Sequence, residues 1–182
     1  MFVFISTSYE DKWSYDWSEI RKPIKDSIQL IESDDFISTG VKGIAGKEPK
    51  QFKRRFWVMQ NATKEELTQL IKYPNGTVKC VAYEGLLRRF NTDVYNIFKS
   101  VLNEKTEITS LYGGCEGYNT LIAEYLIGFI YGHYFGLAPP FHPRSPLSTK
   151  LFNLTDLEKN QIIDDYKELI DNKEKILTAY FK

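Results

Sequence analysis

Two Thr-x-x-Glu signatures, each directly ahead of a helix-spaced apolar run, constrain this chain more than any other feature. They are Thr63-Lys64-Glu65-Glu66 and Thr155-Asp156-Leu157-Glu158. In such a box the Thr hydroxyl accepts the backbone N–H of the Glu. The Glu carboxylate in turn accepts the backbone N–H of the Thr, so two orphaned donors at a helix start are satisfied together. The apolar spacing agrees with helix starts at these points. Leu67, Leu70 and Ile71 follow the first box, and Leu157, Ile162, Ile163, Tyr166, Leu169 and Ile170 follow the second. Ile20, Ile24, Ile28 and Ile31 likewise recur along one helical face. Period-two alternation is absent beyond Met1–Thr7, so the expectation is an all-α fold.

Breakers divide the chain into elements. Asp16-Trp17-Ser18 is expected to open a first helix, with Pro23 in the early turn where a missing N–H does least harm. Ser33-Asp34-Asp35 ends it. Ser38 to Pro49, with Gly40, Gly43 and Gly46, reads as a loop. Lys50 to Gln60 is a helix with Phe52, Phe56 and Met59 on one side. The turn Tyr73-Pro74-Asn75-Gly76 follows the first capping box, and Thr77 caps a helix running to about Phe90. Val94 to Asn103 is helical again. Glu104 to Tyr118 is less regular, with Tyr112-Gly113-Gly114-Cys115-Glu116-Gly117 as a turn or loop. A long apolar helix then runs from Asn119 to about Phe135. The last helix kinks near Asp171-Asn172. The whole, 1–182, reads as one helical domain with an extended N-terminal segment (1–17) and a Pro-rich loop (136–150).

Leu67 to Leu87 is the one stretch with a repeat-like pattern. A short helix, a Pro-Asn-Gly turn and a second helix carrying Val78-Lys79, Ala82 and Leu86 resemble a HEAT-type repeat, a pair of antiparallel helices. In that family Val-Arg, Ala and Leu follow the turn, and Lys79 stands here in place of the commoner Arg. The physical logic holds without the name. Ala82 lets helices approach, and Val78, Ala82 and Leu86 form a stripe at steps of four. Lys79 falls inside that apolar arc, so its stem must pack while its ammonium snorkels or finds a carboxylate. The resemblance covers about one repeat, whereas a pure solenoid needs at least about three. The resemblance therefore implies antiparallel hairpins stacked in a short HEAT-like superhelix capped by flanking helices; an irregular bundle is the alternative.

Composition narrows the function classes. Twenty-four basic side chains balance 24 acidic ones, which gives no global attraction to nucleic acid or an anionic membrane. Two cysteines exclude a disulfide scaffold. Met1–Ile5 is too short for a signal h-region and has no basic lead. The most apolar stretch, Leu121 to Phe135, carries Glu124 and His133 and falls short of the roughly 20 apolar residues of a membrane span. A soluble cytoplasmic protein with no membrane partner is the expectation.

No catalytic constellation survives inspection. Val3 to Lys12 looks like the first strand and loop of a TIR domain, an NAD-cleaving or signalling fold. That fold needs further parallel strands, and no strand pattern follows to supply them. Cys80, Cys115, His133 and His142 include no close pair of the kind zinc sites use, so no metal is expected. Cys80 reads as a small buried side chain. Cys115 has no basic neighbour in sequence to lower its pKa, though a small hydrolase pairing it with His133 or His142 remains an alternative. The Tyr112–Gly117 loop lacks the Lys-Ser or Lys-Thr of a phosphate cradle. Glu124 marks the wet face of its helix.

The basic cluster Lys42, Lys47, Lys50, Lys53, Arg54 and Arg55 is interleaved with Phe52, Phe56 and Trp57. It reads first as a solvated face pairing with Asp164, Asp165, Glu168 and Asp171. A nucleic-acid surface over Lys42–Arg55 is the alternative. The leading expectation is a non-catalytic protein-binding module without cofactor or small-molecule ligand, of which a toxin-neutralising immunity protein is one concrete kind. Arg54, Arg55, Arg88, Arg89, Tyr112 and Glu116 are the expected partner contacts, because Arg and Tyr are enriched at binding hot spots.

Overall fold

The computed structural model describes residues 14–38, 49–90, 94–112, 116–127 and 154–180. In chain order these form α1 (Lys22–Asp34), β1 (Ile37–Ser38), α2 (Lys50–Asn61), α3 (Lys64–Leu70), α4 (Gly76–Arg89), α5 (Val94–Leu102), β2 (Glu107–Tyr112) and β3 (Glu116–Leu121). A helix described over residues 122–127 (α6) and α7 (Asp156–Tyr180) complete them. The chain is predominantly helical. Among the described residues no helix is long and apolar enough to cross a membrane.

Both capping boxes form. Thr63 Oγ1 accepts the N–H of Glu66 at 3.2 Å, and Glu66 Oε2 accepts that of Thr63 at 2.8 Å. Thr155 and Glu158 do the same at 3.2 and 2.8 Å. Two other helix starts differ from expectation. Arg21, not Ser18, precedes α1, because the Ser18 N–H is taken by Asp16 in a tight turn ahead of the helix. Asn75 caps α4 through Val78 N–H, and Thr77 is already a buried helical residue. α1 ends on Asp35, which adopts a left-handed conformation (φ 49°) and returns its N–H to Ile31. Its carboxylate then accepts from the Asn75 amide at 2.8 Å, tying the end of α1 to the start of α4.

α4 is the hub. Residues Cys80 to Arg88 are all buried, and α1, α2, α3, α5 and β2 pack around the helix. A helix buried on every side is the one element whose charged residues must find partners inside the protein. α3 and α4 form a helical pair with Ala82 fully buried. Gly85 makes that approach possible: a Cβ there would lie 3.0 Å from Leu67 and 3.2 Å from Met59. Lys79 finds its carboxylate, Glu104, at 2.8 Å. α7 packs on α5 through a face including buried Ile162 and Ile163, and runs as one helix through Asp171-Asn172.

A small sheet corrects the all-α expectation. β1 pairs parallel with β2 (Ile37 opposite Ser110), and β2 pairs antiparallel with β3 from Glu107–Leu121 to Tyr112–Glu116. Burial does alternate along β2: Ile108 and Ser110 face inward while Glu107 points to solvent. The alternation is hidden because an inward position holds a serine. Ile108, Leu111 and Tyr112 consequently mimic helical spacing. β3 takes residues 119–121, which were expected to open the long helix, and Glu124 caps α6 by accepting the Leu121 N–H at 2.7 Å. Glu124 is thus half-buried with a local task. At the other end of the chain, Tyr15 packs edge-on against Trp17 and Tyr73 with centroids 4.8 and 4.9 Å apart, and the Trp17 and Tyr73 rings lie tilted at 5.4 Å, anchoring the segment before α1.

Candidate functional site

α1 and α2 lie antiparallel, and three polar contacts set their register. The Arg21 guanidinium donates to the carbonyl of Asn61 at 2.7 Å. Arg54 Nη1 donates to Asp34 Oδ2 at 2.7 Å and to the Leu30 carbonyl at 3.4 Å. Gln51 bonds the backbone of Phe36 and Ser38 on either side of Ile37. The outward side of this pair carries two large apolar side chains, Leu30 at 51% and Trp57 at 39% exposure. Trp57 stands one helical turn beyond Arg54 on α2, and Arg54 reaches the Leu30 carbonyl on α1. Lys50 and Lys53 are exposed on the same helix.

Four arginines expected at a partner surface take different places. Arg54 lies at the surface, paired with Asp34 as described. Arg89 Nη1 donates to the carbonyls of Met59 and Ala62 at 2.7 and 2.6 Å, closing the C-terminal end of α2, and its guanidinium lies 4.6 Å from the Phe90 ring. Arg55 and Arg88 are buried. The basic cluster does not pair with α7 through these residues either: Arg54 and Arg55 meet Asp34 and Glu84, while Asp164 and Asp165 are bonded by Lys167 and Gln161 within α7. Tyr112 and Glu116 face each other across the β2–β3 hairpin, and their side chains lie outside the described residues. Cys115, His133, His142, Lys42 and Lys47 lie outside them as well.

The buried arginines belong to a polar cluster joining three helices. Arg55 (α2) is 1% exposed; its Nη1 donates to the Tyr125 hydroxyl (α6) at 2.9 Å. Tyr125 donates to Glu84 Oε2 (α4) at 3.2 Å. Arg88 Nε donates to Glu84 Oε1 at 2.7 Å, and Arg55 stands 3.8 Å from Glu84 Oε2. The Phe52 and Phe56 rings lie 5.5 and 5.1 Å from the Arg55 guanidinium. Burial works against the charge on Arg55, but Tyr125 and Glu84 outweigh it and hold its pKa above the ordinary value. Burial pushes the Tyr125 hydroxyl well up, as does nearby Glu84, with Arg55 opposing. The same burial raises the Cys80 thiol, which leaves it protonated and unreactive.

Arg55 was legible in part. It sits three residues after Phe52 and four before Met59, so it shares the arc those side chains bury. Its charge argued for the opposite face. Trp57 had the reverse problem: an aromatic residue among cations reads as core, and only the packed α1–α2 pair shows it outside.

Among the described residues no group of three or more His, Cys, Asp or Glu side chains is placed to hold a metal ion. Comparison with known protein families and with curated proteins finds no match for the chain.

Proposed function

We propose that this protein is a non-catalytic protein-binding module that engages its partner through the outward side of α1 and α2. The observation that carries the reading is the trio Leu30, Arg54 and Trp57 on these two helices. It combines a half-exposed tryptophan, an exposed leucine and an arginine already held in place by Asp34. Trp and Arg dominate binding hot spots, and a pre-ordered guanidinium loses less entropy on association. Lys50 and Lys53 add positive charge at the rim, which suits a partner carrying an acidic surround about an apolar side chain.

Within this reading the α3–α4 pair is a HEAT-like hairpin that braces the α1–α2 pair, and the role is that of an intracellular inhibitor such as a toxin-neutralising immunity protein. Such a protein works by occlusion and needs no reaction centre. The nucleic-acid alternative loses ground because Arg54 and Arg55, two of its six cations, are engaged by Asp34 and by Glu84 with Tyr125.

The test is amine cross-linking of the tagged full chain in its native host, read by mass spectrometry. The expected result is cross-links from Lys50 and Lys53 to one protein, abolished by Trp57→Glu and retained with Leu157→Ala, an exposed leucine on α7. Cross-links that survive Trp57→Glu, or nucleic acid as the co-purifying species, would overturn the reading.

A further inference from the structure

Asn75-Gly76 is the one Asn-Gly pair in the chain. In such a pair the glycine nitrogen, unhindered by a neighbouring Cβ, can attack the asparagine carboxamide and deamidate it. The structure constrains both residues. Gly76 is set by β2: a Cβ on it would lie 2.7 Å from the Glu107 carbonyl oxygen and 2.7 Å from Thr106 Cγ2. Asn75 serves two helices at once. Its Oδ1 accepts the Val78 N–H at 3.0 Å and caps α4, while its Nδ2 donates to Asp35 Oδ1 at 2.8 Å at the end of α1. Aspartate caps a helix as well as asparagine does, but a carboxylate cannot donate to Asp35. The pair is thus chemically labile and structurally required.

The fold also holds the reacting atoms apart. Ring closure needs Asn75 Cβ and Gly76 N nearly eclipsed about the Cα–C bond, and ψ 126° at Asn75 keeps them well separated. Both ends of the carboxamide are bonded, and Gly76 is the first residue of α4, pressed against Thr106 and Glu107. We propose that Asn75 is a fold-protected deamidation site, exposed to reaction only when the start of α4 parts from the end of α1, and that its conversion keeps this junction from closing as before. In the open state base removes the Gly76 amide proton, the Gly76 N–Asn75 Cγ bond forms, the Cγ–Nδ2 bond breaks and ammonia leaves. Water then opens the succinimide to aspartate or isoaspartate. Aspartate sets a second carboxylate against Asp35 and leaves Thr77 Oγ1, at 3.4 Å, as the remaining side-chain donor to Asp35 among the described residues. Isoaspartate lengthens the main chain at the cap. This inference is independent of the surface around Trp57.

The test incubates the full chain at mildly alkaline pH, folded and in denaturing urea, and follows the tryptic peptide Tyr73–Lys79 by mass spectrometry; Asn75 carries its only side-chain amide. The folded chain should convert about tenfold or more slowly than the unfolded one. Asp35→Gly, which suits the left-handed φ of 49° while deleting the acceptor, should convert faster in the folded state than wild type. Asn75→Asp should lower the Tm by about 2–5 °C, and by less in the Asp35→Gly background, because the repulsion needs both carboxylates. Equal rates in the folded and unfolded chains, no acceleration by Asp35→Gly, or a Tm loss that Asp35→Gly leaves undiminished would each overturn the proposal. Should Asp35→Gly not fold, the folded and unfolded rates and the Tm of Asn75→Asp decide, and an unchanged Tm overturns it.

Discussion

Arg21 and Glu66, 45 residues apart, are joined by two side-chain hydrogen bonds: Arg21 Nε and Nη2 donate to the two Glu66 carboxylate oxygens at 2.9 and 2.7 Å. The backbone N–H of Arg21 adds a third, also at 2.9 Å. The carboxylate that closes the α3 capping box is therefore also the dock for the start of α1. Local helix initiation and tertiary packing share a single side chain.

That double use has a pH signature. Burial acts to raise the Glu66 pKa, but the hydrogen bonds from Arg21 and Thr63 outweigh it and hold it at about 2. A carboxyl depressed on folding contributes stability that is full above its unfolded pKa of about 4.5 and is lost as pH falls through about 2. The Arg21 side chain is 58% exposed, so solvent screens part of the interaction. Glu66→Gln should cost about 2 kcal/mol at pH 7. It should also flatten the decline of stability between pH 4.5 and 2, measured by urea unfolding across that range.

Glu84 is the carboxylate that the two buried arginines share. Glu84→Ala leaves both guanidiniums without it, at a cost of about 3–5 kcal/mol. Tyr125→Phe removes one hydroxyl from the same chain of hydrogen bonds and should cost about 1–2 kcal/mol. Chemical denaturation of both variants should preserve that order; a milder effect for Glu84→Ala would contradict the description of the cluster.

Gly76 opens α4 where it meets β2. A Cβ at this position would lie 2.7 Å from the Glu107 carbonyl oxygen, a backbone atom that cannot step aside. Gly76→Ala should therefore destabilise by about 1–3 kcal/mol despite alanine's better helix propensity. Thermal unfolding of this variant, compared with an alanine substitution at exposed Gln60, checks it.

Trp57 should behave in the opposite way. Truncation to Ala at this partly exposed position should change stability by no more than about 0.5 kcal/mol. If the surface reading is right, it should weaken partner binding by at least tenfold, or about 1.4 kcal/mol. Titration calorimetry with the cross-linked partner, once identified, measures the second number, and urea unfolding the first.

What the sequence by itself determined were the two capping-box helix starts, at Thr63 and Thr155, and the apolar stripes of α1, α2 and α4, because caps and stripes act within one or two turns of chain. Thr63 meets Glu66 three residues away, and Ile24, Ile28 and Ile31 need only each other to define a face. Only the tertiary structure decided the sheet and the fate of the arginines. Ser110 is an inward strand residue because Ile37 pairs with it from 73 positions away, and no local pattern encodes that partner. Arg55 lies inside because Glu84 and Tyr125, brought by two other helices, meet its charge there. A lone arginine on a helical wheel belongs in water, since the energy of a buried charge is set by neighbours that the wheel does not contain.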